Sequence, residues 1–149
     1  MLDKEVAWNR LQATDALALP EDAPLDAIQR NRIRTLAASL EALGSILHEQ
    51  NSGDCVKAYQ ETIQYCQRID DIASEAITHF NLGHAYKNIP AIRDLDKAET
   101  AYQRSLDLTP ANDAQGRAST IFQIGMVQHE PHGSPILKAS FPDCISIPW

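Results

Sequence analysis

Apolar residues along this chain recur three and four positions apart, and no alternating strand pattern spans the first 130 residues, so the region reads as helical throughout. Ala98, Tyr102, Ser105 and Leu106 follow one another at four, three and one residues and form one inward stripe that stops at Pro110. Asp96-Lys97-Ala98-Glu99 reads as the capping box that starts this helix, and Tyr86-Lys87-Asn88-Ile89-Pro90 ends the helix before it. The centre is therefore a helix, turn, helix unit. Upstream, Val6, Trp8, Leu11, Ala16 and Leu17 predict an amphipathic helix ending at Pro20. Glu21 to Pro24 reads as a turn, and a further helix runs from about Leu25. Downstream, Pro131, Pro135, Pro142 and Pro148 interrupt a stretch without helical period. The expectation there is an irregular tail, either disordered or folded back as a short extended cover carrying Phe141, Ile145, Ile147 and Trp149.

One pattern occurs three times. Ala37-Ala38-Ser39-Leu40-Glu41-Ala42-Leu43-Gly44 aligns with Ala76-Ile77-Thr78-His79-Phe80-Asn81-Leu82-Gly83 and with Ala118-Ser119-Thr120-Ile121-Phe122-Gln123-Ile124-Gly125. The glycines lie 83 − 44 = 39 and 125 − 83 = 42 residues apart, a period that suits a pair of helices and is too short for an independent domain. A glycine inside a helix costs roughly 1 kcal/mol relative to alanine, so three at one helical position call for a packing reason, and close approach of a neighbouring helix supplies it.

These residues resemble the tetratricopeptide repeat family, whose pattern has a large residue, Leu-Gly and Tyr on the first helix, then Ala, an aromatic, Ala and Pro on the second. The central copy matches with His79, Leu82, Gly83, Tyr86, Ala98, Tyr102, Ser105 and Pro110. It departs at His79, usually Trp, at Ser105, usually Ala, and by about three extra residues around Ile89 to Arg93. The first copy supplies Leu40, Leu43, Gly44 and Leu47, and its second helix phases either on Ala58, Thr62 and Tyr65 or on Cys55, Tyr59 and Thr62. The third has Ile121, Ile124 and Gly125, places Gln128 where Tyr is usual, and meets Pro131, Gly133 and Pro135 where a second helix would follow. It reads as half a repeat, and the chain as a truncated array, similar to those of large fungal and bacterial multidomain signalling proteins. The resemblance implies an all-α fold of antiparallel helix pairs stacked as a short right-handed α-solenoid. Residues 1–30 form an N-terminal helix and turn, a degenerate repeat or a cap. Residues 31–130 form about two and a half repeats, and residues 131–149 the Pro-rich tail.

Charge and composition narrow the functional classes. Thirteen Lys and Arg against twenty Asp and Glu give a net charge of −7, which disfavours nucleic acid and anionic membranes; Arg30, Arg32 and Arg34 are scattered around a helix by their alternate spacing. With 44% hydrophobic and 22% charged residues the chain has an ordinary globular composition. No run of about 18 apolar residues occurs, and Met1-Leu2-Asp3-Lys4-Glu5 mixes charges where a signal peptide needs an apolar core, so a cytoplasmic protein is expected. Cys55, Cys66 and Cys144 are odd in number and form no CxxC pair, which points to neither a disulfide framework nor zinc.

Chemistry is hard to assemble from the remaining residues. His79 and His84 are five apart, about 140° around a helix, and share no ligand face; His129 and His132 straddle Pro131, and His48 stands alone beside Glu49. No nucleophile elbow, catalytic Cys signature, phosphate loop or dinucleotide fingerprint is present. Asp94, Asp96, Glu99, Asp70 and Asp71 fit helix starts and solvated turns. The expectation is a chain without enzymatic activity, metal or cofactor.

The family resemblance further implies a concave face formed by the first helix of each repeat. It places Ala38, Glu41, Ser45 and His48 there, then Ile77, Phe80, His84 and Lys87, then Ser119, Phe122, Met126 and His129. Such a face suits another protein or a peptide segment with an apolar anchor, with Phe80 and Phe122 serving either as groove or as core. The charged clamp that some members use for a terminal carboxylate is not reproduced, since Lys87 is the one cation of this stripe. The leading expectation is a non-catalytic protein-interaction scaffold. The alternatives are a structural fragment of a larger signalling protein with no binding of its own and, further off, a small metal-binding or hydrolytic protein. The third helix leaves Ile121, Ile124 and Val127 short of partners, which points to self-association unless the tail covers them.

Overall fold

Aspartates start most of the helices. In the computed structural model, which describes residues 1–131, the chain forms α1 (Leu2–Gln12), α2 (Thr14–Leu17), α3 (Ala27–Glu49), α4 (Cys55–Arg68), α5 (Ile72–Asn88), a short 3-10 turn (Pro90–Ile92), α6 (Leu95–Leu108) and α7 (Ala114–His129). No strand occurs among the described residues. The side chains of Asp71, Asp94 and Asp113 accept hydrogen bonds from the backbone N–H three residues on, at 3.2, 3.0 and 2.9 Å. Each thereby satisfies one of the amides that a helix start leaves unpaired. Asp26 makes the full reciprocal box: its carboxylate takes the Gln29 amide at 2.7 Å while its own N–H donates to Gln29 Oε1 at 2.9 Å. The box expected at Asp96–Glu99 is thus found at Asp26–Gln29 instead, and α6 starts from Asp94.

Two of the helix ends are closed by left-handed residues. Asn51 and Asp70 adopt φ of 55° and 56°, a conformation in which their short polar side chains cost little. Ser52 N–H then reaches the Leu47 carbonyl at 2.8 Å and Asp71 N–H that of Cys66 at 2.9 Å, so the chain reverses at once into the next helix.

Packing explains the glycines. A Cβ at Gly44 would lie 2.7 Å from Tyr59 Cε1, and one at Gly83 would lie 2.6 Å from Tyr102 Cε1. The bare glycine backbone of α3 and α5 therefore receives the tyrosine ring of α4 and α6. This settles the phase of the first copy: Cys55, Tyr59 and Thr62 occupy the places of Ala98, Tyr102 and Ser105, and all six are buried. Tyr65, the marker of the other phase, is half-buried against Leu40, Leu36 and α1. The extra residues between α5 and α6 form the 3-10 turn, and Ile89 beside it is fully buried with Cys55, Tyr59 and Ala85. Gly125 differs, since among the described residues nothing lies within 4 Å of where its Cβ would be.

Both ends of the chain correct the sequence reading. In α1, in α2 and at the Ala13 link between them the buried residues are Val6, Asn9, Ala13 and Ala16, whereas Trp8 is 61% and Leu11 63% exposed. Small side chains on that stripe let the helix lie close to Leu36 and Leu40 of α3, and Arg10 holds it by an ion pair to Glu61 at 2.7 Å and a hydrogen bond to Tyr65 Oη at 3.1 Å. Bulky Trp8 and Leu11, two and five residues from Val6, are rotated away from that contact. α3 starts at Ala27 and runs through residue 30 into the segment of Gly44, as the helix expected from about Leu25 does. In α7, Val127 is fully buried against Ala98 and Tyr102 and Ile124 packs beside it, so of the three residues expected to lack partners only Ile121 is exposed. The expected Pro-rich tail, residues 131–149, lies outside the described residues apart from Pro131. No helix among the described residues is long and apolar enough to cross a membrane.

Candidate functional site

The positions that the family resemblance implies for a concave face lie six and three before the glycine and one and four after it. In α3 these are Ala38, Glu41, Ser45 and His48; in α5 Ile77, Phe80, His84 and Lys87; in α7 Ser119, Phe122, Met126 and His129. All twelve are at least partly accessible, and none is buried. Neighbouring helices are tied across this face by polar side chains. Asn81 Nδ2 donates to Glu41 Oε1 at 2.9 Å, joining α5 to α3, and Lys87 Nζ donates to Gln123 Oε1 at 3.0 Å, joining α5 to α7. Asn81 and Gln123 went unnoticed in the sequence, although both stand two residues before their glycine.

The site residues fall into two groups. Phe80 is held edge-on by His84 at 4.6 Å between ring centroids and by Tyr102 at 5.6 Å, so it works mostly as packing between α5 and α6. Ser45 and Glu41 are likewise engaged: Tyr59 Oη donates to Ser45 Oγ, and Ser45 Oγ to Glu41 Oε1, both at 3.5 Å. Phe122 and Met126, by contrast, are 63% and 43% exposed, and Ile77 is 59% exposed. The two phenylalanines that matched in sequence therefore separate, one largely packed and one open.

The same depression occurs twice along this face. One lies between α3 and α5 and is lined by Ala37, Ala38, Glu41, Thr62, Asp71 and Ile77; the other lies between α5 and α7 and is lined by Ala76, Ile77, Phe80, Ser105, Asp113 and Ser119. Residue by residue the linings correspond, and the second exchanges the charged Glu41 for Phe80.

Burial dominates the electrostatics. Loss of water pushes the His84 imidazole below its ordinary value, and the positive charge of Lys87 and the proximity of His48 push in the same direction. His79 is lowered chiefly by burial as well, against the opposing pull of Glu75, whose Oε1 lies 3.7 Å from its Nε2. Glu75 itself is buried between Gln67, which donates to it at 2.8 Å, and Arg104 at 3.8 Å. The two ring nitrogens of His79 and the hydroxyl of Tyr102 are buried without a hydrogen-bond partner among the described residues. Burial also raises the thiols of Cys55 and Cys66, the latter to about 11, so neither is a thiolate near neutrality. Among the described residues no group of three or more His, Cys, Asp or Glu side chains converges as metal ligands would.

What this arrangement can do chemically is offer an accessible surface of apolar and polar groups, on which Glu41 and Lys87 are each engaged by a hydrogen bond. No protein-family model, no curated protein sequence and no solved structure matches this chain.

Proposed function

We propose that this protein is a non-catalytic interaction scaffold, a tetratricopeptide-like stack of helix pairs in a short right-handed α-solenoid, whose first helices form a concave face that takes a segment of another protein. The observation that carries this reading is the run of twelve accessible positions at one glycine-referenced register on α3, α5 and α7, with Ile77, Phe122 and Met126 as its exposed apolar members. Interface energy concentrates in a few desolvated aromatic and large apolar anchors, and such a face supplies them inside a polar surround of Ser45, His48, Ser119 and His129.

The test is an unbiased interaction screen with the whole chain, followed by affinity and melting measurements on variants. Phe122→Ala weakens association by about 1–4 kcal/mol at an unchanged melting temperature, because its side chain is mostly in water. Lys87→Ala mainly alters the rate of encounter and its salt dependence. Phe80→Ala lowers affinity and melting temperature together, as its ring is shared with Tyr102. Undiminished binding by all three variants would put the partner on another face, and a chain that captures nothing would favour a structural fragment without binding of its own.

A further inference from the structure

The two tyrosines that fill the glycine notches rest on equivalent seats. Each seat is a bare glycine backbone bordered by the residue three before it and the residue one after it. Glu41 and Ser45 border Gly44, with Ser45 Oγ at 3.5 Å from Tyr59 Oη; Phe80 and His84 border Gly83, their rings 5.6 and 5.4 Å from that of Tyr102. On α7 the same three positions are Phe122, Gly125 and Met126. There Phe122 is 63% and Met126 43% exposed, Ile121 beside them is 53% exposed, and nothing among the described residues comes within 4 Å of where a Cβ on Gly125 would be. Among the described residues, then, nothing fills this third seat.

The filled seats also specify the occupant. Both tyrosines come from amphipathic helices that carry a small residue four positions before the ring and a hydroxyl residue three after it: Cys55, Tyr59 and Thr62 on α4, Ala98, Tyr102 and Ser105 on α6, all buried against the facing helix. Small neighbours let the helix axes approach until the ring reaches glycine backbone. We propose that the Phe122–Gly125–Met126 seat on α7 binds an aromatic side chain, carried by an amphipathic helix of a partner protein with small residues four before and three after that aromatic. The absence of a Cβ admits the ring face-down, Phe122 meets it edge-on, and the Met126 thioether lies against it, as sulfur favourably does with aromatic rings. This rests on the scaffold reading and adds to it the kind of segment that is recognised.

The probe is a fluorescent peptide with the sequence of residues 94–110 of this chain, which carries the required pattern, titrated into the full-length protein. Saturable binding is expected, with affinity reduced about tenfold or more both for a peptide bearing Tyr102→Ala and for a protein bearing Gly125→Leu. Gly125→Leu keeps its fold, since its Cβ meets none of the described residues, and an unchanged or raised melting temperature verifies this. No saturable binding, or equal binding by the Gly125→Leu protein, overturns the proposal; the latter is also the result if the peptide merely displaces the protein's own α6. A wild-type dimer in sedimentation that becomes monomeric with Gly125→Leu would assign the seat to a second copy and overturn it too. A partner found by screening whose binding falls with Ile77→Ala yet survives Gly125→Leu would remove the seat and leave the scaffold reading in place.

Discussion

A methyl group added at Gly83 would lie 2.6 Å from a ring carbon of Tyr102, and one added at Gly125 would meet nothing within 4 Å among the described residues. Gly83→Leu is therefore expected to destabilise the protein by about 1–3 kcal/mol or more through overpacking, because a ring pinned by Phe80 and His84 has little room to yield. Gly125→Ala should instead stabilise by roughly 0.5–1 kcal/mol, since alanine loses less backbone freedom than glycine when a helix forms. Chemical denaturation of the two variants decides the matter, and equal destabilisation would mean that α7 is covered in solution. His79 and His84 give a pH dependence. Both imidazoles are held below their ordinary value of 6.5, so on acidification the unfolded chain takes up protons before the folded one does. Stability is thus greatest above about 6.5 and declines as the pH falls through that value. Denaturation midpoints between pH 7.5 and 5.5 should show the decline, and the double variant His79→Gln, His84→Gln should flatten it.

Helix starts in this chain depend on which aspartate lies outside the first turn. Asp94 caps α6 through the Lys97 amide, whereas Asp96 lies within that turn and accepts no backbone amide. Asp94→Ala should cost about 1 kcal/mol and Asp96→Ala clearly less, its role being limited to favourable charge near a helix N-terminus. Equal losses in thermal melts would restore the start expected from sequence. The sequence showed the stripe of α6 plainly, through Ala98, Tyr102 and Ser105, yet misplaced its cap because Asp96 and Glu99 also satisfy the box spacing. In α1 and α2 the expected stripe holds at Val6, Ala16 and Leu17 but not at Trp8 and Leu11. Trp8 and Leu11 carry the greatest hydrophobicity, but the contact with α3 is made by Val6, Ala13 and Ala16, where small size governs how closely two helices approach.

Among the described residues α3 to α7 each pack chiefly on their neighbours in sequence, and α1 packs on α3, so a local lesion should stay local. Tyr102→Ala removes a fully buried ring, a change that typically costs about 3–5 kcal/mol. Hydrogen exchange should accelerate in α5, α6 and α7 while the amides of α3 facing α1 keep most of their protection. Uniform acceleration along the chain would show a single cooperative unit instead. The face formed by α3, α5 and α7 belongs to this scale too, because Asn81 with Glu41 and Lys87 with Gln123 align the three helices by bonds that no single helix contains.

The sequence by itself determined the helical class, the start of α3, the end of α5 and the span of α6 within a few residues, and the three glycines as special positions, since hydrophobic period and residue size are local properties. The positions assigned to a concave face came from the family resemblance instead, and the structure leaves all twelve of them at least partly accessible. Only the tertiary structure decided which tyrosine fills which notch and which phase of α4 is inward. The same holds for Phe80, which is packed, while Phe122 at the corresponding position is open. Those outcomes depend on whether a facing helix is present, and facing helices belong to other stretches of the chain: Tyr102 lies 19 residues after Gly83, and no described helix follows α7. Identical local patterns therefore acquire different exposures, and with them different roles, from what stands across from them.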